Sequence, residues 1–237
     1  MKTASRFLMA VSVWLCLAAT ASAEEFSDPS MVLIPEGEFV MGSGKAEDEP
    51  PHAVHLSAFY IDRHEVTQMQ FEAVMDDNPS NFESPNHPVE QVTWYEARDY
   101  CLQVGKRLPT EAEWEKAARA GMTTVYYWGD AIDGDHAWYW DNSGKTTHPV
   151  GQKKPNPYGL YDMAGNVWEW VLDNYSDTYY TESPKRDPQG PFDGKYRSIR
   201  GGSWRDLEQT LRATRRNYEL AAGRFDHIGF RCVREVE

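Results

Sequence analysis

The sequence predicts an α+β domain rich in loops, and three observations carry that prediction. Thr-x-x-Glu/Gln boxes begin at Thr67, Thr93 and Thr110, short apolar runs are bounded by turn residues, and residues 122–200 concentrate Gly, Pro, Asn, Asp, Trp and Tyr with few periodic segments. In such a box the hydroxyl and the later side chain satisfy N–H groups that a helix start leaves open. Long loops have little regular hydrogen bonding of their own, so aromatic packing and staples must hold them. No repeat or low-complexity run interrupts residues 31–237, which are expected to form a single domain large enough for a real core.

Taken in order, residues 1–23 read as a secretory signal. Lys2 and Arg6 are its charged region, residues 7–18 its apolar core, and Ala21-Ser22-Ala23 its cleavage site. The apolar run is too short to anchor stably in a bilayer, so a secreted or periplasmic protein without stable membrane insertion is expected. Residues 24–30 form a short polar tail. The runs 31–35 and 37–42 read as a hairpin, residues 43–51 as an acidic, proline-rich loop, and residues 55–61 as a further strand. Three helices follow the threonine boxes, with Gly105 and Gly121 offering stops. In the second helix Trp94, Ala97, Cys101 and Val104 recur at helical spacing, which puts Cys101 on the buried face. Strands return at 166–172, 196–200 and 228–233, and in the last of these Ile228, Phe230 and Cys232 share a face.

The composition excludes some functions. Aromatic residues make up 13% of the chain, too many for disorder, and the net charge is −13 without a basic stripe. Phosphate contacts need clustered Lys and Arg, so nucleic acid and anionic membrane surfaces are poor partners. Beyond the signal only Cys101 and Cys232 remain. An even pair in an exported chain suggests a disulfide. The rival readings are free thiols or a redox pair, and the separation in sequence argues against a CxxC-type site.

The densest chemistry lies at 159–170 (GLYDMAGNVWEW). As a strand, Trp168 and Trp170 share one face, while Val167, Glu169 and Val171 share the other. Glu169 in such an apolar segment must meet an arginine, a backbone nest or a cation. Asp162 lies seven residues earlier, across the Gly165-Asn166 turn. Two carboxylates with turn carbonyls suit calcium, and a core arginine suits Glu169 equally. Arg200, Arg212, Arg215, Arg216, Arg224 and Arg231 make the last third locally basic, and internal pairing is favoured over an anionic-ligand site. Ser203 lacks a Gly-x-Ser-x-Gly elbow. The histidines show no transition-metal spacing, Asp130, Asp133 and Asp135 do not make an EF-hand, and the chain has no glycine-rich phosphate loop.

In order along the chain, segments 31–42 (MVLIPEGEFVMG), 59–67 (FYIDRHEVT), 87–94 (HPVEQVTW), 105–114 (GKRLPTEAEW), 155–162 (PNPYGLYD), 165–170 (GNVWEW), 200–204 (RGGSW) and 229–232 (GFRC) resemble the formylglycine-generating enzyme, or sulfatase-modifying factor, family. The resemblance covers nearly all of 31–234. It implies a variant of the C-type lectin fold and a structural calcium held by the side chains of Asp162 and Glu169 and the carbonyls of Gly165 and Val167. It also implies a Cys101–Cys232 disulfide, and a substrate cleft lined by Trp168 and Ser203. The family's enzymes oxidise a substrate cysteine using two copper-binding cysteines. Here Asp206 stands at the first of those positions, and residues 205–231 contain no cysteine. Carboxylate oxygen does not replace thiolate for Cu(I), so neither copper nor formylglycine generation by that route is expected.

Two functions follow from the resemblance. One is a monomeric binding or accessory module that presents a cleft of Trp138, Trp140, Trp168 and Trp204, with Ser203 and Asp206, to a peptide, protein or glycan. The other is a cysteine-independent periplasmic oxidoreductase acting on a small molecule, like the family branch that acts on the pyoverdine chromophore. A perturbed acid–base residue beside Ser203 would favour chemistry. A flat aromatic platform would favour binding.

Overall fold

Pro35 decides how the chain begins to fold. A two-residue hairpin turn needs left-handed backbone, and proline's fixed φ denies it. The runs β1 (Met31–Ile34) and β2 (Gly37–Met41) therefore do not pair with each other, contrary to the hairpin expected from the sequence. They continue in one direction and pair with β4 (Phe59–Asp62) and β3 (His52–Leu56), with Ile34 opposite Phe59 and Gly37 opposite Leu56. The hairpin is real, but it closes through the acidic loop 42–51. The strand expected over 55–61 likewise breaks at Ser57-Ala58, opposite Pro35-Glu36.

The computed structural model describes residues 28–236. The signal sequence 1–23, and most of the tail after it, lie outside the described residues.

The helices are α1 (Gln68–Met75), α2 (Trp94–Gln103) and α3 (Glu111–Arg119), and each opens on a complete capping box, from Thr67, Thr93 and Thr110 respectively. A cap of this kind is worth about 1 kcal/mol. Gly105 and Gly121 do take positive φ, but the left-handed cap of α3 is Ala120 itself, one residue before the expected stop. Between α3 and β5 (Trp168–Asn174) no helix or strand forms. Aromatic contacts hold the interval instead: Trp128 stacks on Tyr126 at 4.7 Å and on His136 at 5.0 Å.

A four-stranded sheet carries the rest, in the order β7 (Arg216–Leu220), β6 (Tyr196–Arg200), β5, β8 (Ile228–Gly229). β8 runs parallel to β5. β9 (Val233–Glu235) leaves to join β4, so the strand expected over 228–233 is two strands. The short α4 (Tyr179–Glu182), a 3-10 turn at Glu208–Leu211 and β7 have no counterpart in the sequence reading.

β5 separates two cores. Trp168 and Trp170 pack with Trp94, Phe230 and the cysteines, while Val171 packs with Trp114, Ile34 and Phe59. Cys101 and Cys232 are joined by a disulfide that ties α2 to the segment between β8 and β9. Among the described residues no helix is long and apolar enough to cross a membrane.

Candidate functional site

Two glycine-bearing turns build the site. The pair after β6, Gly201 and Gly202, takes positive φ, and a Cβ on Gly202 would lie 2.6 Å from Leu211 Cδ2. A Cβ on Gly165 would lie 2.1 Å from the Trp138 carbonyl, which forbids a side chain there. The next residue, Asn166, is the hub. Its backbone N–H donates to the Trp138 carbonyl, and its own carbonyl accepts from Trp204 N. Its side chain donates to Glu65 Oε2 at 2.6 Å and to the His148 carbonyl, and accepts from His148 N at 2.9 Å. One fully buried amide thus fastens residues 138–148, the 204 turn and Glu65 to the start of β5. The Gly165-Asn166 pair marks the turn in sequence, and the structure adds a left-handed φ of 59° at Asn166 and the contacts of its amide.

On this frame Ser203, Asp206 and Trp168 converge. Ser203 Oγ donates to Asp206 Oδ2 at 2.5 Å, and Trp168 Nε1 donates to the same oxygen at 2.9 Å. The Asp206 carbonyl accepts from Trp140 N. Asp206 is half-buried, whereas Ser203 is fully buried. His227 closes one side, with Nδ1 3.1 Å from Asp226 Oδ1, and burial pushes its pKa down. Trp204 Nε1 donates to the Asp226 carbonyl, and its ring meets the edge of Phe82 at 5.4 Å.

The four tryptophans expected to build an aromatic cleft are unequally exposed. Trp168 is 2% exposed and Trp204 8%, because both faces of β5 and the turn after β6 are covered. Trp138 carries His148 stacked at 3.7 Å and Lys153 Nζ at 3.6 Å. Of the four, Trp140 is the most exposed, at 47%, with Lys145 Nζ 5.7 Å over its ring. The result is a half-buried carboxylate, Asp206, held by Ser203 and Trp168, with one exposed aromatic ring nearby.

A residue outside the expected set lies behind the Phe82 wall. Glu90 is fully buried, accepts Phe82 N at 2.7 Å on Oε1, and has no partner for Oε2. Burial, with Asp226 adding to it, pushes its carboxyl up to about 7.

The expected calcium ligands meet a crowded neighbourhood. Glu169 takes Arg231 Nε and Nη2, both at 2.7 Å, and Trp114 Nε1 at 2.8 Å. Glu169 therefore meets a core arginine, as one of the sequence readings allowed. Asp162 Oδ2 accepts from Gly151 N. Burial raises Asp162 to about 6, and burial with Asp162 and Glu169 nearby raises Glu65 well above the carboxylate range. Among the described residues no three His, Cys, Asp or Glu side chains are placed to hold a metal together. A calcium here would rest on two carboxylates plus carbonyl oxygens. That donor set fits. Its oxygens are hard, a carboxylate has about four lone-pair sites of which Glu169 uses three, and Glu65, Asp162 and Glu169 face the single guanidinium of Arg231. Copper does not fit, since both cysteines among the described residues are spent in the disulfide.

Five of the six arginines named in the last third pair internally: Arg200 and Arg216 with Glu111, Arg212 with Glu49, Arg224 with Glu96 and Arg231 with Glu169, while Arg215 forms no ion pair among the described residues.

Comparison with known proteins agrees with this architecture. The profile of the sulfatase-modifying factor enzyme 1-like domain matches residues 17–236. The chain is 37% identical to the serine/threonine-protein kinase pkn1 of Chlamydia caviae over 87% of its own length, but it spans only 38% of that relative. It is 32% identical to the formylglycine-generating enzyme of Streptomyces coelicolor, over 89% of this chain and 91% of that enzyme. Among solved structures, Treponema denticola variable protein 1 superposes with a TM-score of 0.81 at 32% identity, covering 86% of this chain and 94% of that one.

Proposed function

We propose a function from the premise that this chain belongs to the sulfatase-modifying factor enzyme 1-like domain family: it is an exported binding or accessory module that holds a peptide, protein or glycan at the Asp206 site. The observation that carries this reading is the state of Asp206. The resemblance to the family puts it at the position of the first copper cysteine, and its carboxylate is pinned by Ser203 Oγ and Trp168 Nε1. A pinned carboxylate supplies no thiolate. It offers a fixed acceptor and a negative charge to an N–H, hydroxyl or cationic group, and the exposed ring of Trp140 nearby is a suitable anchor. Export is supported by the signal-like residues 1–23 and by the disulfide, which suits an oxidising compartment. Bound calcium would be structural, held by Asp162, Glu169 and the carbonyls of Gly165 and Val167, and would supply positive charge to a buried acidic cluster.

The test is capture from cell-envelope extract on immobilised protein, with Asp206→Asn in parallel and mass spectrometry as the readout. A stoichiometric partner whose recovery falls at least about tenfold in the variant is expected. No partner, or equal recovery on both, overturns the reading.

Small-molecule chemistry is the second reading, and Glu90 favours it. A buried carboxyl poised near neutrality can hold or release a proton. Oxygen consumption with envelope extracts that disappears in Glu90→Gln would turn the assignment to this alternative.

A further inference from the structure

A groove of about 820 Å³ opens at the other end of β5, lined by Trp94, Leu172, Tyr179, Pro191, Phe192 and Arg197. Trp168 marks the Asp206 end of the strand and Asn174 the groove end. Six residues of extended chain separate them by about 20 Å. The groove is built rather than left over. Asn174 Nδ2 donates to the carbonyls of Pro191 and Phe192, Gly190 N donates to Tyr179 Oη, and a Cβ on Gly190 would lie 2.6 Å from Asp173 Cβ.

Arg197 is its distinctive group. The half-buried guanidinium lies 3.7 Å over the Trp94 ring, and Arg98 approaches the same ring at 5.3 Å. Arg197 Nη1 donates to the Leu172 carbonyl, and among the described residues no carboxylate reaches ion-pair distance of it. Asp173 is buried beneath and accepts from Glu111 N, and Glu219, opposite Arg197 on β7, forms no ion pair with it. Arg200, Arg212, Arg216, Arg224 and Arg231 each have a carboxylate. Arg197 has an aromatic ring, apolar walls and unused donors.

We infer that the groove is a second binding site, for a small monocarboxylic acid with an aromatic or branched apolar tail. The guanidinium fork matches a carboxylate. A mostly apolar cleft of this size with few polar groups suits a small ligand. Phe192, fully exposed at the rim, supplies further apolar surface. Glu182 and Asp187 also line the groove, and Asp187 is already tied to Ser57 N and Oγ. Their charge disfavours a second carboxylate, which is why the inference specifies one. It does not rest on the Asp206 site.

The test is titration of the full chain with phenylacetate and 4-phenylbutyrate, followed by calorimetry and by tryptophan fluorescence. Phenylacetamide is the neutral control. Binding of the acids at millimolar concentration or tighter is expected, at least about tenfold stronger than the amide, lost in Arg197→Gln, weakened in Arg197→Lys, and unchanged in Asp206→Asn. Circular dichroism melting confirms that each variant is folded, and Arg197→Lys serves if the glutamine variant is not. No acid binding up to about 10 mM, equal binding of the amide, or acid binding indifferent to both Arg197 variants overturns the inference. Loss in Asp206→Asn would place the ligand at the Asp206 site and overturn it too.

Discussion

Two regions of this protein bury charge to the same depth and reach opposite results. At α3, Glu111 lies between Arg200 Nη1 at 2.9 Å and Arg216 Nε at 2.8 Å, and Glu115 takes Arg200 Nη2 at 2.7 Å and Arg119 at 3.2 Å. Burial alone would raise Glu111, but the guanidiniums of Arg216 and Arg200 hold it down to about 2. At the start of β5, Glu65, Asp162 and Glu169 share Arg231, and there burial and mutual repulsion win, raising Asp162 to about 6 and Glu65 well above its ordinary range. Burial is common to both, so the count of cations decides. At α3 the guanidiniums match Glu111 and Glu115, and Asp173, which accepts from Glu111 N, is the acid left over, raised well above its ordinary range by burial and by Glu111. The β5 region carries surplus negative charge and has room for a cation. Glu90 is the limiting case: no guanidinium meets it, and one oxygen has no partner at all.

The largest expected effect comes from opening the α3 network. Glu111→Ala would strand two buried guanidiniums, and breaking a buried pair costs about 3–5 kcal/mol. Urea unfolding measures it. A loss below about 1 kcal/mol would mean that the α3 network is no more than a set of surface-strength pairs, and the contrast would fail.

Glu90 sharpens the contrast from the other side. Its carboxyl titrates at about 7 in the fold, against 4.5 for an ordinary glutamate. The folded state thus holds the proton more tightly than the unfolded chain. The stability this brings is full below pH 4.5 and is lost as pH rises to about 7. The shift corresponds to roughly 3 kcal/mol. Glu90→Gln keeps an acceptor for Phe82 N and cannot ionise. The fall in unfolding free energy between pH 5 and pH 8 should therefore shrink by about that amount in the variant. Equal pH dependence in variant and wild type would show that Glu90 is not the group being titrated.

The contrast also explains what the sequence could reveal. The capping boxes at Thr67, Thr93 and Thr110 are local: both partners lie within four residues, and all three helices start where they were expected. The arginine pairs are not local. Glu111 meets Arg200 and Arg216 across 89 and 105 residues, so composition could say that the arginines pair internally but not with which acid. Alternation along β5 correctly put Trp168 and Trp170 on one face, yet period-2 reasoning does not report that both faces are covered, and Trp168, expected to line an aromatic cleft, is 2% exposed. Pro35 was visible, but its meaning depended on β3 and β4, which lie beyond the acidic loop. Asp206 was located through the family motif, while Asn166 and Glu90 owe their roles to contacts that no spacing encodes.

The smallest effect tests the β5 region directly. If surplus charge at Glu65, Asp162 and Glu169 marks a cation site, calcium should bind the folded chain and not the unfolded one. At a hundredfold excess over the dissociation constant that adds about 2.7 kcal/mol, or about 5–10 °C in melting temperature for a domain of this size. Melting in millimolar calcium against EDTA reads the difference. Asp162→Asn should abolish the response, because it removes the carboxylate whose Oδ2 accepts only Gly151 N. A mild opening of the other region, Arg216→Lys, should leave it intact, because Arg216 touches none of the three acids. If the Asp162 variant still responds, calcium binds elsewhere. If wild type melts identically in calcium and EDTA, the surplus is carried by protons on Glu65 and Asp162 rather than by a metal. The two regions would then differ only in which ion, H⁺ or guanidinium, neutralises the buried acid.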